Sequence, residues 1–189
     1  MERETARRRA DRRKRVRSSG GGIGVVAVLS LLGWFVVAGG GSAVAYSGDI
    51  RTGGRLESLT LPALEGGRTI DYADYRGKPL VINFFASWCP NCIAEMPDFE
   101  QVHQEMDSNV AFIGISQQDA PGASIELARQ TGTTYPAGID AAGRFFNATG
   151  SQGMPVTIFV RPGGEIAHIQ QGAFDAESLR QSIQTYLGV

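Results

Sequence analysis

The segment Pro79-Leu-Val-Ile-Asn-Phe-Phe-Ala-Ser-Trp-Cys-Pro-Asn-Cys-Ile-Ala-Glu-Met-Pro97 places two cysteines at C-x-x-C spacing between two contrasting patterns. Before the cysteines, residues 80–86 are apolar except for Asn83, which predicts a strand buried on both faces. After them, apolar residues recur every three or four positions through residues 93–106, which predicts a helix. The two cysteines therefore lie where a central strand turns into a helix.

This position predicts a redox chemistry for Cys89 and Cys92. The unpaired N–H groups at a helix N-terminus favour a thiolate over a thiol. Such sites lower a cysteine pKa from about 8.5 to between roughly 3.5 and 7.5. Cys89, at the start of the helix, is therefore the candidate nucleophile. Cys92 lies about one turn further along, where it can attack a mixed disulfide on Cys89 and release the product.

The motif around the cysteines resembles a known family. Trp88-Cys-Pro-Asn-Cys92 after a hydrophobic strand is similar to the thioredoxin superfamily. Tyr75-Arg-Gly-Lys78 before the strand and Glu95-Met-Pro97 after the cysteines resemble its membrane-tethered TlpA/ResA branch, which includes DsbE-type proteins. The resemblance covers residues 56–187. It implies an extracytoplasmic thiol-disulfide oxidoreductase that needs no cofactor, and several such proteins serve cytochrome c maturation.

The resemblance also implies which residues contact the substrate. Trp88 borders the reactive sulfur in this family, and Pro90 follows the first cysteine. Pro155 matches the family's cis-proline beside the cysteine pair, where an extended substrate segment could pair with the backbone. Met154 would then border the substrate groove. The predicted partners are protein thiols and disulfides, with a membrane redox protein that recycles the cysteine pair.

Glu95 is a candidate catalytic residue. It follows Cys92 by three positions, so the two side chains share one face of a helix. A nearby carboxylate can accept the proton that Cys92 must lose, and burial would raise its pKa toward that of a thiol. Spacing alone leaves a second interpretation open, a solvated acid near a helix N-terminus like Asp98 or Glu100. In the TlpA/ResA branch a glutamate at this spacing assists the cysteines.

Two departures from the family pattern leave the direction of the reaction open. The family commonly has proline immediately before the second cysteine, whereas here Asn91 stands there. Some cytochrome c maturation members have an acidic residue after the cis-proline, where this chain has Val156. A reductase and a disulfide-forming oxidase therefore both remain candidates.

Other site classes fit the sequence less well. A closed zinc site needs four ligands, and only His103 and His168 could join the two cysteines. A Sco-like copper site uses two cysteines and a distant histidine, which makes His168 a candidate, but its cysteines are spaced C-x-x-x-C. The peroxiredoxin motif is absent. We therefore predict no metal, and we interpret His103, at helical spacing from Phe99, as a solvated helix residue.

The N-terminal region predicts membrane targeting. Residues 1–17 hold nine of the 18 Lys and Arg but only three of the 19 Asp and Glu, and an apolar segment follows at residues 23–38. This arrangement favours a membrane segment over a nucleic-acid-binding tail. The segment's sixteen residues are slightly fewer than the ~17–25 that span a bilayer, and Ala43-Val-Ala45 resembles a signal-peptidase site. A retained anchor and a cleaved signal both place the following domain outside the cytoplasm, in the first case as a single-pass protein of the cell membrane.

The predicted organisation has four parts: a basic cytoplasmic tail (1–19), an anchor or signal segment (20–45), a linker with little structure (46–56) and a thioredoxin-like domain (57–189). The fold class is α/β, with a mixed central sheet flanked by helices. A β-hairpin around Glu65-Gly-Gly67 precedes the core. Asp119 and Pro121 are predicted to cap a second helix, and Asp175 the last one. The remaining predicted elements are strands at 110–115, 136–139, 156–160 and 165–169 and a short helix at 141–149.

Overall fold

The computed structural model describes residues 43–189. Its elements are, in chain order, β1 (Ala45–Asp49), β2 (Arg55–Pro62), β3 (Thr69–Asp71), a 3-10 turn (Tyr72–Tyr75), β4 (Leu80–Phe85), α1 (Pro90–Met106), β5 (Ala111–Gln117), α2 (Pro121–Gln130), β6 (Ala137–Asp140), α3 (Arg144–Ala148), β7 (Val156–Val160), β8 (Ile166–Gln171) and α4 (Ala176–Leu187). The predicted basic tail and apolar segment lie outside the described residues. Between residues 43 and 189, no helix has the length and apolar character needed to cross a membrane.

The central sheet has five strands in the order β6-β5-β4-β7-β8. β4 pairs in parallel with β5 and antiparallel with β7, and β8 forms an antiparallel hairpin with β7. All six residues of β4 are buried, as the apolar run predicts for a central strand. The predicted thioredoxin-like class, a mixed sheet flanked by helices, is confirmed.

Alternate residues of β4 serve two separate cores. Val81 packs in a cluster with Phe99 of α1 and Leu179 of α4, so these two helices cover one face of the sheet. Phe84 packs on the opposite face, in a cluster with Phe145 of α3 and with the N-terminal strands. The first face is the one that positions the cysteine helix.

A second, three-stranded antiparallel sheet precedes the core in the order β1-β2-β3. The predicted hairpin around Glu65–Gly67 is confirmed as β2–β3. The prediction that residues 46–56 have little structure is wrong, because β1 pairs along β2. Every residue of β1 is exposed, so the strand shows no apolar alternation. Backbone pairing forms it, helped by a 2.8 Å hydrogen bond between the hydroxyls of Ser47 and Ser58 and by the ring of Tyr46, 5.3 Å from that of Phe145. The bulge in β1 needs Gly48, where a Cβ would lie 2.0 Å from the carbonyl oxygen of Arg55.

Two further predictions about helices are wrong. His103 is not solvated: its side chain is only 19 % exposed. Its ring lies 5.4 Å from that of Phe112 and 5.5 Å from that of Tyr135, because the segment before β6 covers this side of α1. Pro121 does begin α2, but the N-cap is Ala120 and Asp119 does not cap this helix. Asp175 caps α4 as predicted.

Candidate active site

Cys89 and Cys92 are joined by a disulfide at the N-terminus of α1, with their Cα atoms 5.3 Å apart. Cys89 is the N-cap residue, and the backbone N–H of Cys92 donates to its Sγ over 3.2 Å. Pro90 occupies the first helical turn, where its fixed φ favours a helix start. Cys89 is 5 % exposed and Cys92 is fully buried, so an attacking group reaches Cys89 first.

The loop before Cys89 is held by Asp119. One carboxylate oxygen of Asp119 accepts from the backbone N–H of Ser87 over 2.6 Å, and the other accepts from the Ser87 hydroxyl over 2.9 Å. Ser124 of α2 also donates to Asp119. Burial acts to raise the pKa of Asp119, but the hydrogen bonds from Ser87, Ser124 and Ala120 outweigh it and lower the pKa below its usual value. Asp119 therefore fastens the turn that carries the nucleophile.

We expect Asp119→Ala to destabilise the oxidised protein by about 1–3 kcal/mol, because it leaves the part-buried N–H of Ser87 without its acceptor. The free energy of unfolding in urea checks this. Asp107→Ala, at the exposed C-cap of α1, is the matched control. An Asp119→Ala protein as stable as the Asp107→Ala protein would show that Asp119 does not hold the turn.

Trp88 lies on the surface beside Cys89. Its side chain is 56 % exposed, and its Nε1–H donates to the carbonyl oxygen of Gln118 over 3.3 Å. Gln118 has a φ of 45°, which is uncommon outside glycine. The sequence does not predict that the backbone of Gln118 holds Trp88, since glutamine is not typical of that conformation. Ile93, in the first turn of α1, is also exposed. The nucleophile thus has apolar surface on both sides.

The peptide bond between Met154 and Pro155 is cis, as the family resemblance implies. Met154 packs against the apolar cluster that contains both cysteines. Pro155 is buried, and its carbonyl oxygen accepts from the N–H of Gly172 over 3.0 Å. Val156, the next residue, is fully buried in β7. Of the predicted groove residues, Met154 therefore adjoins the cysteine cluster, and the cis bond joins Pro155 to it.

Glu95 is 2 % exposed, so the interpretation of Glu95 as a solvated acid is wrong. Asn83 of β4 donates through Nδ2 to its Oε1 over 2.8 Å, and the backbone N–H of Phe174 donates to its Oε2 over 3.0 Å. Burial, with a smaller contribution from the charge of Asp98, raises the pKa of Glu95 to about 7 against the lowering effect of these two hydrogen bonds. One turn after Cys92, the chain has a carboxyl group that can gain or lose a proton near neutral pH.

Neither histidine lies near the cysteines in the described contacts, although Nδ1 of His103 is 3.6 Å from Oε2 of Glu100. His103 contacts aromatic rings, and the ring of His168 stacks on Tyr186 with 4.3 Å between centroids. Within residues 43–189, no three side chains among His, Cys, Asp and Glu are grouped so that they could hold a metal ion. The interpretation of Glu100 as a solvated acid is also wrong, because Glu100 is buried. The backbone N–H and the hydroxyl of Thr134 donate to its two carboxylate oxygens.

Comparisons with known proteins agree with this geometry. The redoxin family model matches residues 51–187. ResA of Geobacillus thermodenitrificans, a thiol-disulfide oxidoreductase, is 27 % identical over 140 residues, which are 72 % of this chain and 78 % of the relative. DsbE of Pseudomonas fluorescens, a thiol:disulfide interchange protein, is 29 % identical over 62 % of this chain and 65 % of its own length.

Solved structures show the same likeness. A secreted Mycobacterium tuberculosis disulfide oxidoreductase, homologous to E. coli DsbE, is 26 % identical with a TM-score of 0.61. The match covers 67 % of this chain and 94 % of that one. With its cysteine pair bonded at the start of a helix, the chain belongs to the redoxin family and is a thiol-disulfide oxidoreductase of the ResA and DsbE type.

Proposed function

We propose that this chain is tethered to the membrane, acts outside the cytoplasm and exchanges disulfides with protein substrates, as a reductant in cytochrome c maturation. The observation that carries the proposal is the nearly buried Cys89–Cys92 disulfide at a helix N-terminus, flanked by exposed Trp88 and buried Glu95. A membrane redox partner would reduce the pair again after each cycle.

In the reducing direction, the Cys89 thiolate attacks one sulfur of a substrate disulfide and forms a mixed disulfide. The substrate's other sulfur leaves as a thiolate and takes a proton from water. Glu95 accepts the proton of the Cys92 thiol, and the Cys92 thiolate attacks Cys89 Sγ. The second substrate sulfur leaves, so the substrate gains two electrons and the cysteine pair is oxidised to the disulfide.

The surroundings of Cys89 suit a protein substrate. Trp88 and Ile93 present apolar surface around the nucleophile. A cavity of about 670 Å³ lies between the β2–β3 hairpin, α2 and the segment before β6. Neither cysteine lines it, so this cavity is not part of the surface around Cys89. The cis-proline segment, Met154 and Pro155, adjoins the cysteine cluster, where an extended substrate could pair with its backbone.

The second candidate is a disulfide-forming oxidase. The likeness to a secreted mycobacterial disulfide oxidoreductase and the absence of an acidic residue at Val156 favour it. The midpoint potential of the Cys89–Cys92 couple against glutathione separates the two directions. Thioredoxin lies near −270 mV and the oxidant DsbA near −120 mV. A potential near the first value supports the reductant, and one near the second supports the oxidase.

The start of the described domain supports a retained anchor. Ala45 pairs with Thr60 as the first residue of β1, and Val44 packs against the core. Cleavage after Ala45 would remove Ala45 from the sheet and Val44 from its contact with the core.

We expect a membrane-impermeant maleimide to label Cys89 in intact, reduced cells that express the Cys92→Ser chain, because the basic residues before the apolar segment favour a cytoplasmic N-terminus. The Cys89→Ser/Cys92→Ser chain controls for background. Labelling that required lysis would contradict the extracytoplasmic location. N-terminal sequencing of the mature protein shows whether the chain is cut after Ala45.

A further inference from the structure

Asn83 is the polar residue in the middle of the otherwise apolar strand β4, and it is 1 % exposed. Its Nδ2 donates to Glu95, but its Oδ1 is buried and accepts from no residue of the described chain. Thr157 of β7 is also fully buried, and its Oγ1 has no partner within residues 43–189. A buried polar atom without a partner costs about 1–3 kcal/mol, so two such atoms call for an explanation.

The two residues are neighbours. Asn83 and Thr157 stand directly opposite each other in the antiparallel β4–β7 pair, so both side chains project from the same face of the sheet. Directly opposite residues have Cβ atoms about 4.5–5.5 Å apart. On the other side, Asn83 is paired with Gly114 of β5, which has no side chain. Thr157 is therefore the polar side chain across the strand from Asn83, on the face covered by α1.

The two donors to Glu95 respond differently to its protonation. The N–H of Phe174 can only donate, so it favours the carboxylate whatever the state of the site. An asparagine amide carries a donor at one end and an acceptor at the other. If the side-chain amide of Asn83 turned by half a rotation about its Cβ–Cγ bond, it would present Oδ1 to Glu95. Oδ1 would then accept a hydrogen bond from the protonated acid. A threonine hydroxyl can donate to Oδ1 or accept from Nδ2, so it can satisfy whichever end of the amide faces away.

We propose that Asn83 is a positioning residue that holds Glu95 in both protonation states by turning its amide, while Thr157 bonds the opposite end of that amide. The inference rests on the proposed role of Glu95 as the proton acceptor for Cys92. It assigns a use to the one polar position in the buried strand and to both unpartnered atoms. Other titratable groups face Glu95: Asp98 on the same helix raises its pKa, and Tyr135, from the segment before β6, has its own pKa raised by the charge of Glu95. In the reduced protein the Cys92 thiol lies one turn before it.

The test is a carboxyl-carbon NMR titration of Glu95 in the oxidised full chain, where the cysteines do not titrate. Asn83→Leu removes the amide without leaving a large cavity, and Asn83→Ala is a second variant should the first pack poorly. Each is expected to raise the pKa of Glu95 by about one unit, since the charge-assisted hydrogen bond that the carboxylate loses is about twice as strong as the one that the neutral acid loses. Thr157→Val is expected to raise it by less, because a hydroxyl that donates to Oδ1 polarises the amide and so strengthens the hydrogen bond from Nδ2 to the carboxylate.

Thr134→Val is the matched control, since it removes a hydrogen bond to Glu100, another buried carboxylate of α1. It should leave the titration of Glu95 unchanged. An unchanged titration in both Asn83 variants would overturn the proposal, and an unchanged titration in Thr157→Val would remove Thr157 from it.

The resolving rate then separates this inference from the proposed function. With a pKa raised from about 7 by one unit, the ionised fraction of Glu95 at pH 7, and with it the rate, falls about fivefold in Asn83→Leu. A raised pKa without this slower rate would mean that Asn83 controls Glu95 but that Glu95 does not take the Cys92 proton.

Discussion

Cys92→Ser is expected to accumulate mixed disulfides between Cys89 and its substrates, whereas Cys89→Ser should trap almost none. Both variants should lose multiple turnover. Cys89 is the N-cap residue beside exposed Trp88, and Cys92 is fully buried behind it. In Cys92→Ser the first attack proceeds and the second cannot, so the mixed disulfide persists. In Cys89→Ser the remaining thiol is covered and cannot reach a protein substrate.

Non-reducing gels of acid-quenched, alkylated cells measure the trapped fraction, and mass spectrometry of the trapped species identifies the bonded cysteine and the partner proteins. The chain that lacks both cysteines supplies the background. Equal trapping by the two single variants would contradict the assigned order of attack.

Glu95→Gln is expected to remain folded but to resolve mixed disulfides about 10²-fold more slowly at pH 7, at the lower end of the range for general acid–base catalysis. The amide cannot accept the Cys92 proton, and a thiol that ionises unaided keeps some activity. In the native protein the resolving rate should rise with pH through the pKa of Glu95 at about 7. In the variant this rise near pH 7 should disappear from the pH–rate profile. Only the rise at higher pH, where the Cys92 thiol ionises unaided, should remain.

The same substitution should change the pH dependence of stability. The pKa of Glu95 is raised from its ordinary value of 4.5, which applies to the unfolded chain, to about 7 in the folded protein. At a pH between these two pKa values, folding is therefore accompanied by binding of a proton. Stability from this group is present below about pH 4.5 and is lost as pH rises through about 7. Glu95→Gln should flatten this decline, since the glutamine oxygen can accept from the N–H of Phe174 while Asn83 turns its Oδ1 toward the glutamine NH₂.

Single-turnover resolution of a slow, purified mixed disulfide between pH 5 and 9 checks the first effect, and urea unfolding at the same pH values checks the second. Asp98→Asn, one turn away and less buried, is the control for lost charge: it should keep the rise with pH and shift it to slightly lower pH, because the charge of Asp98 raises the pKa of Glu95. If the resolving rate of Glu95→Gln still rose near pH 7, that rise would belong to another titratable group. A variant that was slow at every pH in proportion to lost stability would indicate a structural role alone.

The junction of β4 and α1 was predictable from sequence because its two patterns are strong and adjacent. A buried strand needs an unbroken apolar run, and a helix packed on one face needs apolar residues every three or four positions. Both patterns meet at the cysteine motif, so the place of Cys89 and Cys92 and the same-face relation of Cys92 and Glu95 follow from local spacing.

Features that depend on distant contacts were not predictable in this way. β1 has no apolar alternation because it buries no side chain, so only its pairing with β2 reveals it. Asp119 precedes a helix, which suggests a cap, yet its carboxylate is taken by Ser87, 32 residues earlier. His103 is covered by Tyr135, and the apolar periodicity of α1 does not predict that contact because Tyr135 belongs to a distant segment. Asn83 stood out as a polar interruption, but only the packing of α1 on the sheet shows that its partner is Glu95.

The most direct measurement is equilibration of the full chain in a series of glutathione buffers, approached from both the oxidised and the reduced protein. If Cys89 and Cys92 are a redox couple, the two approaches give one reversible two-electron transition with the same midpoint, and circular dichroism shows that the reduced protein keeps its fold. A disulfide that the glutathione series cannot open, or one whose reduction by a stronger dithiol unfolds the domain, would instead be a structural crosslink. That result would contradict the assignment of thiol-disulfide exchange to this cysteine pair.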